Sequence, residues 1–293
     1  QSAVSRQIQG LEEEVGAPLF VRGTRHVELT SAGASLLRAV APILDRLDST
    51  VRQIRQSRGR RVMSVTTFAS FASLWLIPRL EAFQREHPDI DIRVSASDHM
   101  VEPGSQEIDI ARRFSPPQRP PEGAIRLFGE VMTPVISPWL RERAASGHGP
   151  ALIEPGDLAL HTLLEEFDNR QNIDHMTWRH WLSQRGLAEL EPKRWLYFNY
   201  TFQQVQAALT GQGVALARLP LVAEALRAGE LVEPFNDRYR LDSKHAYWLL
   251  SSPQSRERPE VAQSCAWIQQ QAAPTREAVG EMAPEDDSLS EAD

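Results

Sequence analysis

Two short clusters carry the residue types and spacing of an anion-holding site. Thr66, Thr67 and Ser70 stand where an apolar run from Val62 turns into a helical pattern, and Thr201 and Phe202 hold the matching place after the run Trp195–Asn199. At such a strand-to-helix junction the first helical turn has free backbone N–H groups, and hydroxyls beside them add donors that suit a carboxylate or other anion. The plainer alternative is that these side chains only cap their helices. Asp98 and His99 follow the strand-like run Ile90–Val94 and either join such a site or belong to a polar loop. Neither motif contains Arg or Lys. Hydroxyls and helix ends must therefore supply most of the polarity, and the expected ligand is a small anionic or carboxylate-bearing molecule.

No other set of side chains reads as a catalyst. His161, His175, His180 and His245 lack metal-ligand spacing, and Cys265 is the sole cysteine, so no metal site is expected. Gly211-Gln212-Gly213 lacks the third glycine of a nucleotide loop and runs from a helix into a strand, the reverse of that motif, so it reads as a helix stop. No serine sits in a nucleophile elbow, no paired carboxylates stand out, and Trp178 and Trp181 read as packing residues. Neither catalytic residues nor a cofactor are expected.

A different chemistry opens the chain. In residues 1–15, Val4, Ile8, Leu11 and Val15 form an apolar stripe at helical spacing, leaving Gln1, Ser2, Ser5 and Arg6 on a polar side. A helix fits the DNA major groove, and short polar side chains let it approach base edges. A merely solvated face is the alternative. Two short extended runs, Leu19–Arg22 and Val27–Leu29, flank a basic turn and read as a small wing. Arg22 and Arg25 there suit phosphate or the minor groove. Residues 1–61 carry ten arginines against six acids, a mild excess that permits DNA binding without establishing it.

Elements must position these groups. Thr30 is a good N-cap for a helix reaching about Ser57, in which Leu37, Val40, Leu44, Leu47, Val51 and Ile54 recur at spacings of three and four. That heptad seam calls for a partner helix, although Pro42 within it should kink the run. Gly59-Arg60-Arg61 breaks the pattern. Strands then alternate with helices, with strands expected near 62–67, 90–94, 108–112, 132–136, 162–165, 195–199, 214–217, 231–234 and 245–250. Helices are expected near 71–87, 175–184, 201–209, 220–227 and 259–271, which argues for an α/β fold with largely parallel sheets. Of the net charge of −7, the stretch after Ala273 supplies −6, and its seven acids against Arg276 read as a disordered tail. No stretch approaches the roughly 18 apolar residues of a membrane span. A lone cysteine suits a reducing compartment, so the chain is expected in the cytoplasm, without membrane association.

In fixed register, Ser2-Ala3-Val4-Ser5-Arg6-Gln7-Ile8, Leu11-Glu12, Gly16, Pro18-Leu19-Phe20, Arg22, Arg25, Leu29-Thr30 and Ala32-Gly33 resemble the winged helix-turn-helix of LysR-type transcriptional regulators. The likeness continues through Trp75–Leu80, His87–Ile90, Pro134–Pro138 and Ala207–Leu216, which resemble the effector domain of the glycine-cleavage activator branch. The resemblance implies a partial winged helix-turn-helix over residues 1–30 and a linker helix over 31–58 that pairs two subunits. A two-lobed effector domain of the type 2 periplasmic-binding-protein kind would follow over 62–272, with 273–293 as the acidic tail. One lobe would hold 62–134 and 236–272, the other 135–235, with the ligand between them. The implied partners are double-stranded operator DNA, a small-molecule effector and a second copy of the chain in a homodimer or tetramer, with RNA polymerase as a further candidate. Two departures stand out. Two helices expected to precede the reading helix lie before Gln1, and a proline-rich loop follows Ser115 in place of the usual glycine. The rival reading is a transport solute-binding protein of the same two-lobed fold, against which the helix–wing–helix front weighs.

Overall fold

The computed structural model describes residues 2–22, 27–56, 61–96, 109–115, 122–167, 176–251 and 253–281. It divides into two compact units, Gln1–Arg60 and Arg61–Asp293. In the first, α1 (Ser2–Val15) leads to an antiparallel hairpin of β1 (Phe20–Arg22) and β2 (Val27–Leu29), then to the 26-residue α2 (Ser31–Gln56). Glu12 ties helix to hairpin, because its carboxylate accepts the N–H groups of Leu19 at 2.7 Å and Phe20 at 3.1 Å. Thr30 caps α2 by accepting the Gly33 N–H at 3.0 Å. Gly33 must be glycine, since a Cβ there would lie 2.1 Å from the Leu19 carbonyl oxygen. Helix α2 continues through Pro42.

The second unit opens with β3 (Arg61–Thr67), which feeds a composite helix: α3 (Ala69–Phe71), a π turn over Ala72–Leu76, a 3-10 turn over Ile77–Arg79, and α4 (Leu80–Glu86). The regular helix expected here is interrupted because Pro78 has no N–H to give the carbonyl four residues back. Arg79 instead donates to the Trp75 carbonyl at 2.7 Å. Next come β4 (Ile90–Ala96), β5 (Ile110–Ser115), β6 (Ile125–Val135), α5 (Pro138–Ala145), a 3-10 turn over Pro155–Leu160, β7 (Thr162–Glu166) and α6 (Trp178–Ser183). The chain ends through β8 (Arg194–Phe198), α7 (Thr201–Leu209), β9 (Val214–Arg218), α8 (Leu219–Arg227), β10 (Leu241–Ser251), α9 (Pro253–Arg256) and α10 (Pro259–Ala278).

The strands run in the order β4-β3-β5-β10-β6-β9-β7-β8. Two parallel triplets, β4-β3-β5 and β9-β7-β8, are the sheets of two lobes. They are joined by the 11-residue strands β6 and β10, which pair antiparallel with each other and with the neighbouring triplets. The sheet is thus mixed rather than largely parallel, because each crossing between lobes is made by a long strand. One apolar core, with Phe71, Trp75, Phe83, Phe128 and Tyr247, fills the first lobe, and Trp178, Trp181, Leu163 and Val214 belong to a second. Trp178 and Trp181 are fully buried against each other, as packing residues should be.

Two further expectations need correction. Residues 231–234 do not form a strand; Val232 makes only an isolated bridge to Ile136. The acidic tail does not begin at residue 273, because α10 continues through Pro274 to Ala278. Thr275 is buried and accepts the Trp75 indole N–H at 3.0 Å, while Arg276 donates to the Leu127 carbonyl at 2.9 Å. Glu281 then pairs with Arg126 at 2.6 Å and accepts the Gly129 N–H. These contacts hold the stretch to the first lobe. Residues 282–293 of the expected tail lie outside the described residues.

Candidate functional site

Both hydroxyl clusters sit where expected, at the ends of strands that feed helices, and the fold brings them together. Ser70, in α3 of the first lobe, accepts the Phe202 backbone N–H of α7 in the second at 3.2 Å. Thr201, fully buried, donates its hydroxyl to Glu166 at 2.5 Å. Thr67 is also buried, and its hydroxyl has no hydrogen-bond partner among the described residues. Thr66 turns away from this meeting point, donating to the Ser95 carbonyl on neighbouring β4 at 3.3 Å. Asp98 and His99 lie outside the described residues.

The sequence motifs contain no cation, yet the fold delivers one. Arg218 ends β9 and enters the site with Glu166 at 3.4 Å and Glu130 at 3.6 Å. Tyr247, from β10, donates its hydroxyl to Glu130 at 2.6 Å. The Arg218 guanidinium also lies 5.6 Å from the centre of the Phe114 ring. Burial works against its charge, but Glu166, Tyr247 and Glu130 outweigh that and hold its pKa above the usual arginine value. Glu130 comes from β6 and Tyr247 from β10, so this network joins both crossing strands to β7 and β9 of the second lobe. Arg218-Leu219-Pro220 is a third strand-to-helix junction of the same kind as the two hydroxyl clusters, and that was the available signal. Glu130, Glu166 and Tyr247 had none, because only the sheet order makes them neighbours.

Beside this network, burial pushes the Glu165 carboxyl up to about 7, although the Trp178 N–H it accepts at 3.1 Å pulls the other way. Gly211, with φ of +76°, ends α7, and a Cβ there would press on Trp139 at 2.8 Å. The helix-stop reading of that turn therefore holds. Among the described residues no group of three or more His, Cys, Asp or Glu is placed to hold a metal ion. No helix among them is long and apolar enough to cross a membrane.

In the first unit, Ser5 and Arg6 are exposed on α1, which also carries Ser2. Gln1 and Arg25 lie outside the described residues, and Arg22 ends β1. Along α2 the seam residues Leu37, Leu44 and Leu47 are 53%, 56% and 58% exposed in the single chain, with Val40 and Val51 half-buried; Ile54 falls in the last turn.

The LysR substrate binding domain matches residues 56–273, and the helix-turn-helix of bacterial regulatory proteins of the lysR family matches residues 1–34. The chain belongs to the LysR family of transcriptional regulators. It is 34% identical over 277 residues to the glycine cleavage system transcriptional activator of Escherichia coli, covering 94% of this chain and 87% of that one. With the transcriptional activator AmpR of Pseudomonas aeruginosa the identity is 32%, over 93% and 87% of the two chains. The AmpR effector domain from P. aeruginosa superposes with a TM-score of 0.53 at 31% identity, covering 75% of this chain and 98% of that one. CrgA of Neisseria meningitidis, a LysR-type regulator at 21% identity, shares the fold over 93% and 90% of the chains, with a TM-score of 0.55. This LysR regulator is therefore a DNA-binding transcription factor with an effector-binding domain, and its two-lobed second unit is the fold of that domain. It is not an enzyme.

Proposed function

We propose that the effector of this LysR regulator binds between the lobes, at the ends of β3 and β8 and the first turns of α3 and α7. It would touch Thr67 and Ser70 from one lobe and Thr201 and Phe202 from the other. The observation that carries this reading is the hydrogen bond from the Phe202 N–H to Ser70, which joins the two lobes at the start of both helices. In this arrangement the chain satisfies with its own hydroxyl a donor that an anionic effector would use. Binding then exchanges the Ser70 contact for the ligand, and the effector shifts the interlobe angle only by its differential affinity for the two arrangements. Arg218 and its carboxylates lie within the same site and tie the exchange to both crossing strands.

On the DNA side, α1 would read the major groove through Gln1, Ser2, Ser5 and Arg6, with Arg22 and Arg25 of the wing on phosphate or in the minor groove. Subunits would pair through the α2 seam, since its leucines present a two-to-the-heptad apolar stripe that the described residues leave more than half exposed. A homodimer is the smallest such assembly, and a tetramer and contact with RNA polymerase extend it. The domain division that goes with this reading is 1–30, 31–58 and an effector domain from 62, with lobes of 62–134 plus 236 to the end of α10 and of 135–235. A protein that works on the chromosome belongs in the cytoplasm. The test is reporter transcription under a condition that induces through the unaltered regulator, measured beside operator affinity. Thr67→Val and Thr201→Val should each abolish the response and leave the affinity within about twofold. A normal response in both variants would reduce these residues to helix caps.

A further inference from the structure

Lobe two carries a second cavity, lined by none of the cleft residues. Its volume is about 220 Å³, and its aliphatic walls come from Ile136, Ala144, Ala145, Leu152, Ile153 and Pro234. Arg141 contributes the single charged group to the lining. Its guanidinium has no hydrogen-bond or ion-pair partner among the described residues, whereas Arg143 on the same helix donates to the His148 carbonyl and stacks over Trp139. Ile153 is 82% exposed, so a large apolar side chain stands in water at the cavity mouth.

The walls are held in place without help from a ligand. Helix α5 is fixed at its start by Ser137, which accepts the Leu140 N–H at 3.3 Å. The Asp157 carboxylate accepts the N–H groups of Ile153 at 2.7 Å and Glu154 at 3.1 Å, and His161 bonds the Ala151 carbonyl at 2.8 Å. Ile136 and Val232 exchange two backbone hydrogen bonds of 2.9 Å each. The bracing keeps this hollow open at the surface, and a preformed apolar site with a few placed polar groups is what small ligands use. A dry cavity of roughly 150 Å³ accepts benzene; this one is larger by about the room a carboxylate needs. Its aliphatic walls suit a ring or branched chain, and its free guanidinium suits one carboxylate.

We propose that this cavity is a second small-molecule site, and that it takes a small apolar monocarboxylate of the size of an aromatic acid. It adjoins Ile136, the first residue after crossing strand β6, and Pro234, on the path back to β10. A ligand there would bear on both interlobe connections. Benzoate is the probe, with benzyl alcohol as the neutral compound of similar shape, and the readout is the methyl NMR spectrum of the full chain. Benzoate should shift the Ile136, Ala144, Ala145, Leu152 and Ile153 methyl signals and saturate at about 1 mM. Arg141→Gln, on an exposed helical position, should weaken it about tenfold, and Thr201→Val in the cleft should leave it unchanged. The proposal fails if those methyl signals do not move or if benzyl alcohol binds as well as benzoate. It also fails if Thr201→Val, rather than Arg141→Gln, removes the effect; benzoate would then be a cleft ligand.

Discussion

Replacing Arg218 with methionine keeps most of the side-chain volume and removes the cation between two carboxylates. Glu130 is fully buried at its side chain and Glu166 is 12% exposed. At separations of 3.4 and 3.6 Å, each attraction is about 4–5 kcal/mol for an effective dielectric constant near 20. Relief of the guanidinium's own desolvation offsets part of that, and removing one partner of a buried pair costs about 3–5 kcal/mol in practice. In a unit of this size each kcal/mol moves the melting temperature by about 2–4 °C, so R218M should melt about 10 °C lower near neutral pH. Urea unfolding of both proteins at about pH 7.5 measures this. Adding Glu130→Gln to R218M should recover about 1 kcal/mol or more, because it removes a carboxylate left buried without its cation. No deficit in R218M, or no recovery in the double variant, would refute the account of this network.

Glu165 offers a pH test. Its folded pKa of about 7 lies above the unfolded value, so its contribution falls as pH rises between about 4.5 and 7 and levels off above that. Glu165→Gln should flatten this slope and gain about 1–2 kcal/mol near pH 8 once solvent screening is allowed for, as read by urea unfolding. In the linker helix, Leu44→Asp with Leu47→Asp should undo the seam, since burying each leucine is worth about 1.5–3 kcal/mol per chain; sedimentation at micromolar concentration should show the loss of pairing, and an unchanged assembly would move the interface to the effector domains. Arg6→Ala should weaken operator binding by about 1–3 kcal/mol in a mobility-shift titration, and equal affinity would take Arg6 off the reading face.

Local pattern was enough for the elements that position the site. The apolar runs before Thr66 and Thr201 were legible as strands, and hydroxyls at their ends as the start of helices, because both signals lie within about ten residues. Thr201–Leu209 begins and ends where its periodicity and the Gly211 stop place it. What lay beyond the sequence is what depends on long-range pairing. Strand β6 was expected only from residue 132, yet it begins at Ile125, because its first half pairs with β10, far along the chain, rather than with its chain neighbours. Glu130 and Arg218 are 88 residues apart and meet only because β9 joins the sheet beside β6. The extension of α10 past residue 272 was hidden by acidic composition, which gave no sign of the Trp75–Thr275 hydrogen bond that holds it.

The central claim is that the contact between Ser70 and the Phe202 N–H sets the resting arrangement of the lobes and that the effector exchanges with it. Ser70→Ala removes the acceptor with little change in shape. The most direct measurement is uninduced reporter transcription by Ser70→Ala, paired with its operator dissociation constant. The account predicts a basal level moved toward the induced level of the unaltered regulator, with the operator constant within about twofold. Basal and induced transcription both equal to those of the unaltered protein would contradict it.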